Sequence, residues 1–231
     1  MAETSHMEIA DRLTEYRIAY GDEHDRLASK YNWIQGKDIR LTGLSKIANS
    51  LDFARTGIYL GRSKYYKRVP EQKLLPDSNL ATNEKNTVKK NILNEFHAGI
   101  KRGFFLSLHM SVESTIRVTA KGLGLEKDNF YETYKDLLNQ LNPTKKDEFM
   151  RLLNVIRNVR NTIHNNGVYS NANKSISYGR STYTFTKGAR VPLRWADIDD
   201  FLEGTLEMLV TIAEHPSIHI QPVSNMEDPS A

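Results

Sequence analysis

Eight apolar side chains, Val88, Ile92, Phe96, Ile100, Phe104, Leu108, Val112 and Ile116, recur at intervals of four residues. On a helix, residues four apart are surface neighbours, so the repeat predicts a single helix whose apolar members stay close to one face for more than about seven turns. Thr82 or Asn83 can cap its start, Glu84 and Glu95 lie in its front half, and "GLGL" stops it after about Lys121. Phe105, Leu106 and Met110 add apolar side chains beside the stripe, so the second half is expected to be buried on most sides and to form the spine of the core.

A spine of that length needs helices to cover it. Residues 2 to 35 carry Ile9, Leu13, Tyr16, Ile18 and Leu27 and read as a helix interrupted or bent near Gly21. Residues 38 to 60 read as a second helix on Leu41, Leu44, Ile47, Leu51 and Phe53, with Gly61 and Pro70 of "GRSKYYKRVP" as stop signals and a polar loop to Asn83. Tyr131 to Leu141 makes a short helix, and "NPTK" at 142 to 145 a turn in which Thr144, three residues before Asp147, resembles a capping box. A helix then runs to Asn165. "SISYGRSTYTFTKGARV" alternates β-formers Ile176, Tyr178, Tyr183, Phe185 and Val191 around Gly179 and Gly188, which predicts a hairpin. Ile198, Phe201, Leu202, Leu206, Leu209 and Val210 return to helical spacing, and the tail from Pro216 is expected to fray. The fold expected is mostly all-α: an N-terminal helical extension over residues 1 to 80, a bundle over 81 to 215 with a β-hairpin at about 175 to 191 inserted before the last helix, and a flexible tail over 216 to 231.

At 231 residues, 39% hydrophobic and 26% charged, the chain can bury such a core and is not a wholly disordered sequence. No apolar run approaches the roughly 20 residues a membrane span needs, and residues 1 to 9 lack the layout of a signal peptide, so a soluble, cytoplasmic protein without membrane contact is expected. The absence of cysteine excludes disulfides, thiolate zinc sites and cysteine nucleophiles. A net charge of +4 permits an acidic partner such as RNA without demanding one. His97 and His109 have no second metal-ligand type nearby, proline interrupts "HPSIH" at 215 to 219, and no Walker-type loop or nucleophile elbow is present, so neither a metal nor a cofactor is expected.

One helical segment carries far more hydrogen-bonding capacity than its neighbours: "RNVRNTIHNNGVY", residues 157 to 169. At about 100° per residue, Phe149, Leu152, Ile156, Val159 and Ile163 fall in one narrow sector that must face the core. Arg157, Arg160, Asn161 and His164 form a second stripe to one side of it. Guanidinium groups hold phosphoryl oxygens with a permanent charge, and an imidazole exchanges a proton near neutral pH. Arg160 lies about one turn, or roughly 6 Å, from His164 and Arg157 about two turns, or roughly 10 Å; Asn161 can orient the imidazole, while Asn158 points away from the stripe. A surface helix with ordinary polar decoration, ended by "HNNG" with a left-handed Asn or Gly, accounts for the same residues.

The segment resembles the HEPN superfamily, whose members place an arginine four to six residues before a histidine on a late bundle helix. Arg157 and His164, separated by six residues and with Asn158 directly after the arginine, fit that pattern; Arg160 to His164 has only three between them, although "RNTIHNNGVY" is similar to a variant among HEPN-like proteins. "SLHMSVESTIR", residues 107 to 117, looks like the family's preceding core helix, and the resemblance spans about residues 85 to 212. It implies a bundle that dimerises, with the Arg and His stripes of two subunits in a composite cleft, and an activity of metal-independent RNA cleavage. The histidine would then act as base or acid toward the ribose 2′-hydroxyl and arginine would stabilise phosphate charge. The catalytic candidates are thus Arg157, His164, Arg160, Asn158 and Asn161, with Asn165 and Tyr169 as adjacent substrate contacts. A toxin or defence setting, with a protein partner or antitoxin, is what the resemblance implies beyond RNA and the homodimer. The rival readings are a catalytically silent helical interaction module and a nucleotide-sensing module.

Other stretches carry weaker expectations. Lys64, Tyr65, Lys67 and Arg68 interleave cations with aromatics, which suits RNA contact but also an ordinary basic helix end. Glu113 either pairs with Arg117 four residues on or faces Arg157 or His164 across the bundle. Tyr169, Tyr178 and Tyr183 either flank the cleft or cover an apolar edge.

Overall fold

The computed structural model describes residues 6–62, 81–190 and 193–229. The basic, tyrosine-bearing stretch with Lys64, Tyr65, Lys67 and Arg68 lies outside the described residues, as do Pro70 and Val191. The chain folds as α1 (His6–Tyr31), α2 (Ile39–Arg62), α3 (Thr82–Gly122), α4 (Phe130–Leu141), α5 (Lys146–His164), β1 (Lys174–Tyr178), β2 (Ser181–Phe185), α6 (Trp195–Ala213) and a short α7 (Pro216–His219). It is a mostly α bundle with a two-stranded hairpin before the last long helix. No described helix is long and apolar enough to cross a membrane.

Helix α3 is the spine only in its second half. Ile100, Phe104, Phe105, Leu108, Val112 and Ile116 are buried, whereas Phe96 is 43% exposed and Val88 and Ile92 are half-buried. The reason is angular: a step of four residues turns about 400°, roughly 40° past a full circle, so a row spaced by fours winds around the helix instead of holding one face. Met110, expected beside the buried stripe, is 68% exposed.

Helix α2 lies antiparallel against α3, because Gly43, Gly57 and Gly61 meet Thr115, Ile100 and His97 in that order. The approach is close: a Cβ at Gly43 would collide with Thr115 Oγ1. Helix α1 is unbroken through Gly21 and buries Ile9, Leu13 and Leu27. Ile18 and Phe53 face outward, contrary to expectation. Ile18 stands nine residues from Leu27 and Phe53 two from Leu51, each about 160 to 200° round from its buried partner. One continuous apolar core joins α1 and α2 to the rest of the bundle.

The start of α5 uses no capping box. Lys145 is the N-cap, without a side-chain cap hydrogen bond, and the preceding turn is set by Asn142 in the left-handed conformation at φ 45°. In the hairpin, Lys174 pairs with Phe185 and Tyr178 with Ser181 across a turn in which Gly179 takes φ 56°. Tyr178 and Tyr183 pack on Phe201 of α6, so these two rings cover the core.

The C-terminal segment is docked, not frayed. Ile218 and Met226 are fully buried, Ile39 N–H donates to the Met226 carbonyl (2.8 Å), and Asp228 N–H donates to the Lys37 carbonyl (2.7 Å). The anchor is a buried ion pair. Arg40 Nε–H donates to Asp38 Oδ1 (2.8 Å), the guanidinium also meets Asp38 Oδ2, and it donates to the carbonyls of Ile218 (2.8 Å) and Gln221 (3.1 Å). The Trp33 ring lies 4.1 Å beneath it. Sequence inspection missed this because Asp38 and Arg40 look like ordinary surface charges at a helix start.

Removing one member strands a buried charge. Asp38→Ala is expected to lower unfolding free energy by about 3 to 5 kcal/mol in urea denaturation; a loss below about 1 kcal/mol would show that the pair does not anchor the tail.

Candidate functional site

Helix α5 is amphipathic in the sense its residues predict. Phe149, Leu152, Leu153, Val155, Ile156 and Val159 are buried, and Ile163 is half-buried at the end of that face. Burying each such side chain contributes roughly 1.5 to 3 kcal/mol, enough to set the rotation of the helix. Arg157, Arg160 and Asn161 are thereby brought to the rim, half-buried. They line a cleft of about 280 Å³ together with His109 and Glu113 of α3 and with Asn129 and Phe130 at the start of α4.

The helix stops where the stripe ends. Asn166 and Gly167 take left-handed conformations at φ 56° and 82°, and Gly167 N–H donates to the Thr162 carbonyl (2.9 Å), the six-to-one bond of a Schellman ending. "HNNG" is therefore a genuine stop signal, and the arginine stripe coexists with it. Beyond the stop, Tyr169 N–H donates to the Ala189 carbonyl (3.0 Å) and Gly188 N–H to the Tyr169 carbonyl (2.8 Å), which ties the base of the hairpin to the end of α5.

The expected site residues divide into groups. Arg157, Arg160 and Asn161 share the cleft, and His164 is exposed one turn beyond Arg160. An Arg160 guanidinium N–H donates to Asn161 Oδ1 (3.1 Å). Arg157 lies 4.7 Å over the Tyr131 ring, and its Nε–H is buried without an acceptor. Asn158 is turned into the core, where its amide donates to the Asn154 carbonyl and its own carbonyl accepts from Thr162 Oγ1 (2.8 Å). Asn165 is exposed, its amide donating to Ser170 Oγ (2.9 Å). Tyr169 is buried against Phe185 (5.3 Å between ring centroids).

Glu113 does both of the things its position allowed. Its Oε1 accepts from Arg117 Nε–H (3.0 Å), so the intrahelical pair forms, and the side chain also faces the cleft that holds Arg157 and Arg160. Arg117 is in turn held by the carbonyls of Lys127 (2.9 Å) and Asp128 (3.2 Å), which leaves Glu113 fixed rather than free to pair with the cleft arginines.

Sequence inspection missed His109. It is 2% exposed, packs edge-on to Phe130 (5.8 Å), and neither ring nitrogen has a hydrogen-bond partner; Glu113 Oε2, at 3.6 Å, is beyond bonding range. Burial pushes its pKa down to about 4, with Arg160 and His164 lowering it further and Glu113 opposing them. The imidazole is therefore neutral near pH 7. It lies one residue after Leu108 in the apolar row of α3, and in the sequence it stands only as a histidine without a second metal ligand nearby; the packing of α5 beside α3 brings the stripe to it. Tyr131 was also missed, since its role depends on how α4 meets α5.

The arrangement can bind an anion. Arg157 and Arg160 are half-buried cations with no carboxylate partner among the described residues, beside a neutral imidazole and an amide. Half-buried charge without a counter-charge is costly unless a ligand supplies one. Comparisons of the chain with protein-family models, with curated proteins and with solved structures found no match.

The depressed pKa of His109 has a definite sign. Between about 4 and the ordinary 6.5, the unfolded chain binds a proton that the folded chain refuses, so stability is full above that window and falls as pH drops through it. His109→Phe removes the proton uptake and is expected to spare a loss on the order of 1 to 3 kcal/mol between about pH 7 and pH 4.5. Urea unfolding of both proteins at the two pH values measures it, and a wild-type-to-variant difference that does not change with pH would contradict the burial of a neutral ring.

Proposed function

We propose that this protein is a HEPN-like RNA-binding protein that cleaves RNA without metal, using Arg157, Arg160, Asn161 and His164 of paired subunits. The observation that carries the reading is the cleft itself: two arginines, half-buried and free of carboxylate partners among the described residues, beside Asn161 and one turn from an exposed imidazole.

In this reading the arginines hold the nonbridging oxygens of a phosphodiester and offset the charge that builds on phosphorus. One imidazole takes the proton of the ribose 2′-hydroxyl as the 2′-oxygen bonds to phosphorus. The bond from phosphorus to the 5′-oxygen breaks, and that oxygen receives a proton. The products are a 2′,3′-cyclic phosphate and a 5′-hydroxyl. A dimer supplies two copies of His164, which divide the base and acid roles. The exposure of His164 at the edge of a shallow cleft suits a site completed by a second copy. Asn158, spent on hydrogen bonds within its own helix, has no direct part, and the described contacts of Asn165 and Tyr169 are structural. The cytoplasm and a toxin or defence role, with a protein partner or antitoxin, are the setting this proposal carries with it.

A catalytically silent module would use the same stripe to hold two subunits together. Glu113, the carboxylate that lines the cleft, is engaged by Arg117, so under that reading the carboxylates that receive the arginines come from the second subunit.

Mixed single-stranded and structured RNA incubated with purified protein in EDTA is expected to yield fragments with 2′,3′-cyclic phosphate ends, and DNA is expected to survive. His164→Ala should lose about 10²- to 10⁴-fold in rate and Arg157→Ala or Arg160→Ala about 10²- to 10³-fold. Folded, dimeric wild type that cleaves no RNA, or a His164→Ala variant that cleaves as fast, would overturn the catalytic reading.

A further inference from the structure

The cations of the cleft continue onto the hairpin. Lys174 opens β1, which packs on α5, and its ammonium lies 5.9 Å from the centroid of the Tyr169 ring. Tyr169 is held by the Ala189 and Gly188 backbone bonds and by Phe185, so its ring is a fixed floor for the lysine. Arg157, on the rim of the cleft, is fixed from the other side by the Tyr131 ring.

Strand β1 runs back along α5, with Ser175 to Gly179 beside Glu148 and Arg151, so Lys174 lies toward the Arg157 end of that helix. Burial lowers the Lys174 pKa and the Arg157 charge lowers it further; the same arginine acts on the Tyr169 hydroxyl beneath the lysine. Neither cation has a carboxylate partner among the described residues. The fold thus holds two half-buried like charges together and spends rigid aromatic packing on keeping them there. Repulsion of that kind is unfavourable in the empty protein and is relieved by negative charge at both groups. Arg157 and Arg160 line the cleft and Lys174 does not, so a phosphate bound in the cleft leaves the lysine without a counter-charge.

We propose that Lys174 holds a second phosphate, next to the one bound by Arg157 and Arg160, so that the ligand of this face is an oligonucleotide strand and not a mononucleotide. This rests on the reading of the cleft as a phosphodiester site. The strand runs from the cleft across Arg157 toward the start of β1, and the hairpin is a substrate-binding element rather than a decoration. Lys174 touches the backbone away from the reacting phosphate, so it acts on binding and not on the chemical step.

The test is fluorescence anisotropy with a labelled mixed-sequence decamer of 2′-O-methyl ribonucleotides, which cannot be cleaved, and with adenosine 5′-monophosphate as competitor. Lys174→Met keeps the aliphatic packing on Tyr169 and removes the charge; Lys174→Arg keeps the charge. Lys174→Met is expected to weaken decamer binding about 5- to 10-fold and to reduce the slope of log affinity against log salt by about 0.7, the value for one single-strand phosphate contact. Monophosphate binding should not change, and Lys174→Arg should restore the decamer. Arg157→Ala should weaken both ligands. Loss in Arg157→Ala with no change in Lys174→Met, both variants melting as wild type does, would overturn the second phosphate position and leave the cleft standing. Decamer binding that ignores Arg157→Ala and Arg160→Ala alike, or no binding by wild type, would overturn the cleft reading and this inference with it.

Discussion

Burying Phe149, Leu152, Ile156 and Val159 decides where Arg157 and Arg160 must go. A helix is a rigid cylinder, so once one sector is fixed against the core, the side chains on its flank have no choice but the edge of the interface. There they are dry enough for charge to be expensive and open enough for a ligand to reach them. The apolar face of α5 supplies the energy, and the polar stripe takes its position from it. Helix α3 completes the site for the same reason: its buried second half puts His109 and Glu113 opposite the stripe, and α4, entering at Asn129, closes the third side.

Charge pairing across the rest of the molecule makes the cleft stand out. Among the described residues, the other buried or half-buried arginines find carboxylates: Arg40 with Asp38, Arg117 with Glu113, Arg12 with Asp199 and Arg55 with Asp52. Buried charges are kept where partners satisfy them, and removing a partner is far costlier than never having built the pair. Against that habit, Arg157, Arg160 and Lys174 sit half-buried with aromatic rings or an amide for company. An anion from outside the chain is the partner we propose for them.

Much of this was legible in the residues, and the part that was not has a physical reason. Periodicity located the helices, the hairpin and the Arg157 to His164 stripe, because those are properties of one element at a time. The row from Val88 to Phe96 misled because spacing by fours drifts around a helix, and the extent of drift that packing tolerates is a tertiary matter. The tail from Pro216 looked unanchored because its anchor, Arg40, lies far away in the chain and reads as a surface charge until Trp33, Asp38 and the Ile218 carbonyl surround it. His109 has no metal-ligand neighbour in the sequence and Lys174 belongs to no motif; one joins the cleft, and the other comes beside it, only when α5 is set beside α3 and the hairpin folds back over the end of α5. Asn158 shows the converse, since the residue directly after Arg157 is turned about 100° round the helix from it and is buried.

The central claim is that a phosphodiester lies on the cleft arginines. The most direct measurement is an NMR titration of protein carrying ¹⁵N at its arginine side chains with an uncleavable 2′-O-methyl oligoribonucleotide, the signals being assigned through Arg157→Lys and Arg160→Lys. The account predicts that the Nε–H signals of Arg157 and Arg160 shift together and saturate at one ligand concentration, while those of the paired Arg40 and Arg117 stay in place. Shifts confined to other arginines, with the two cleft signals unmoved, would contradict it.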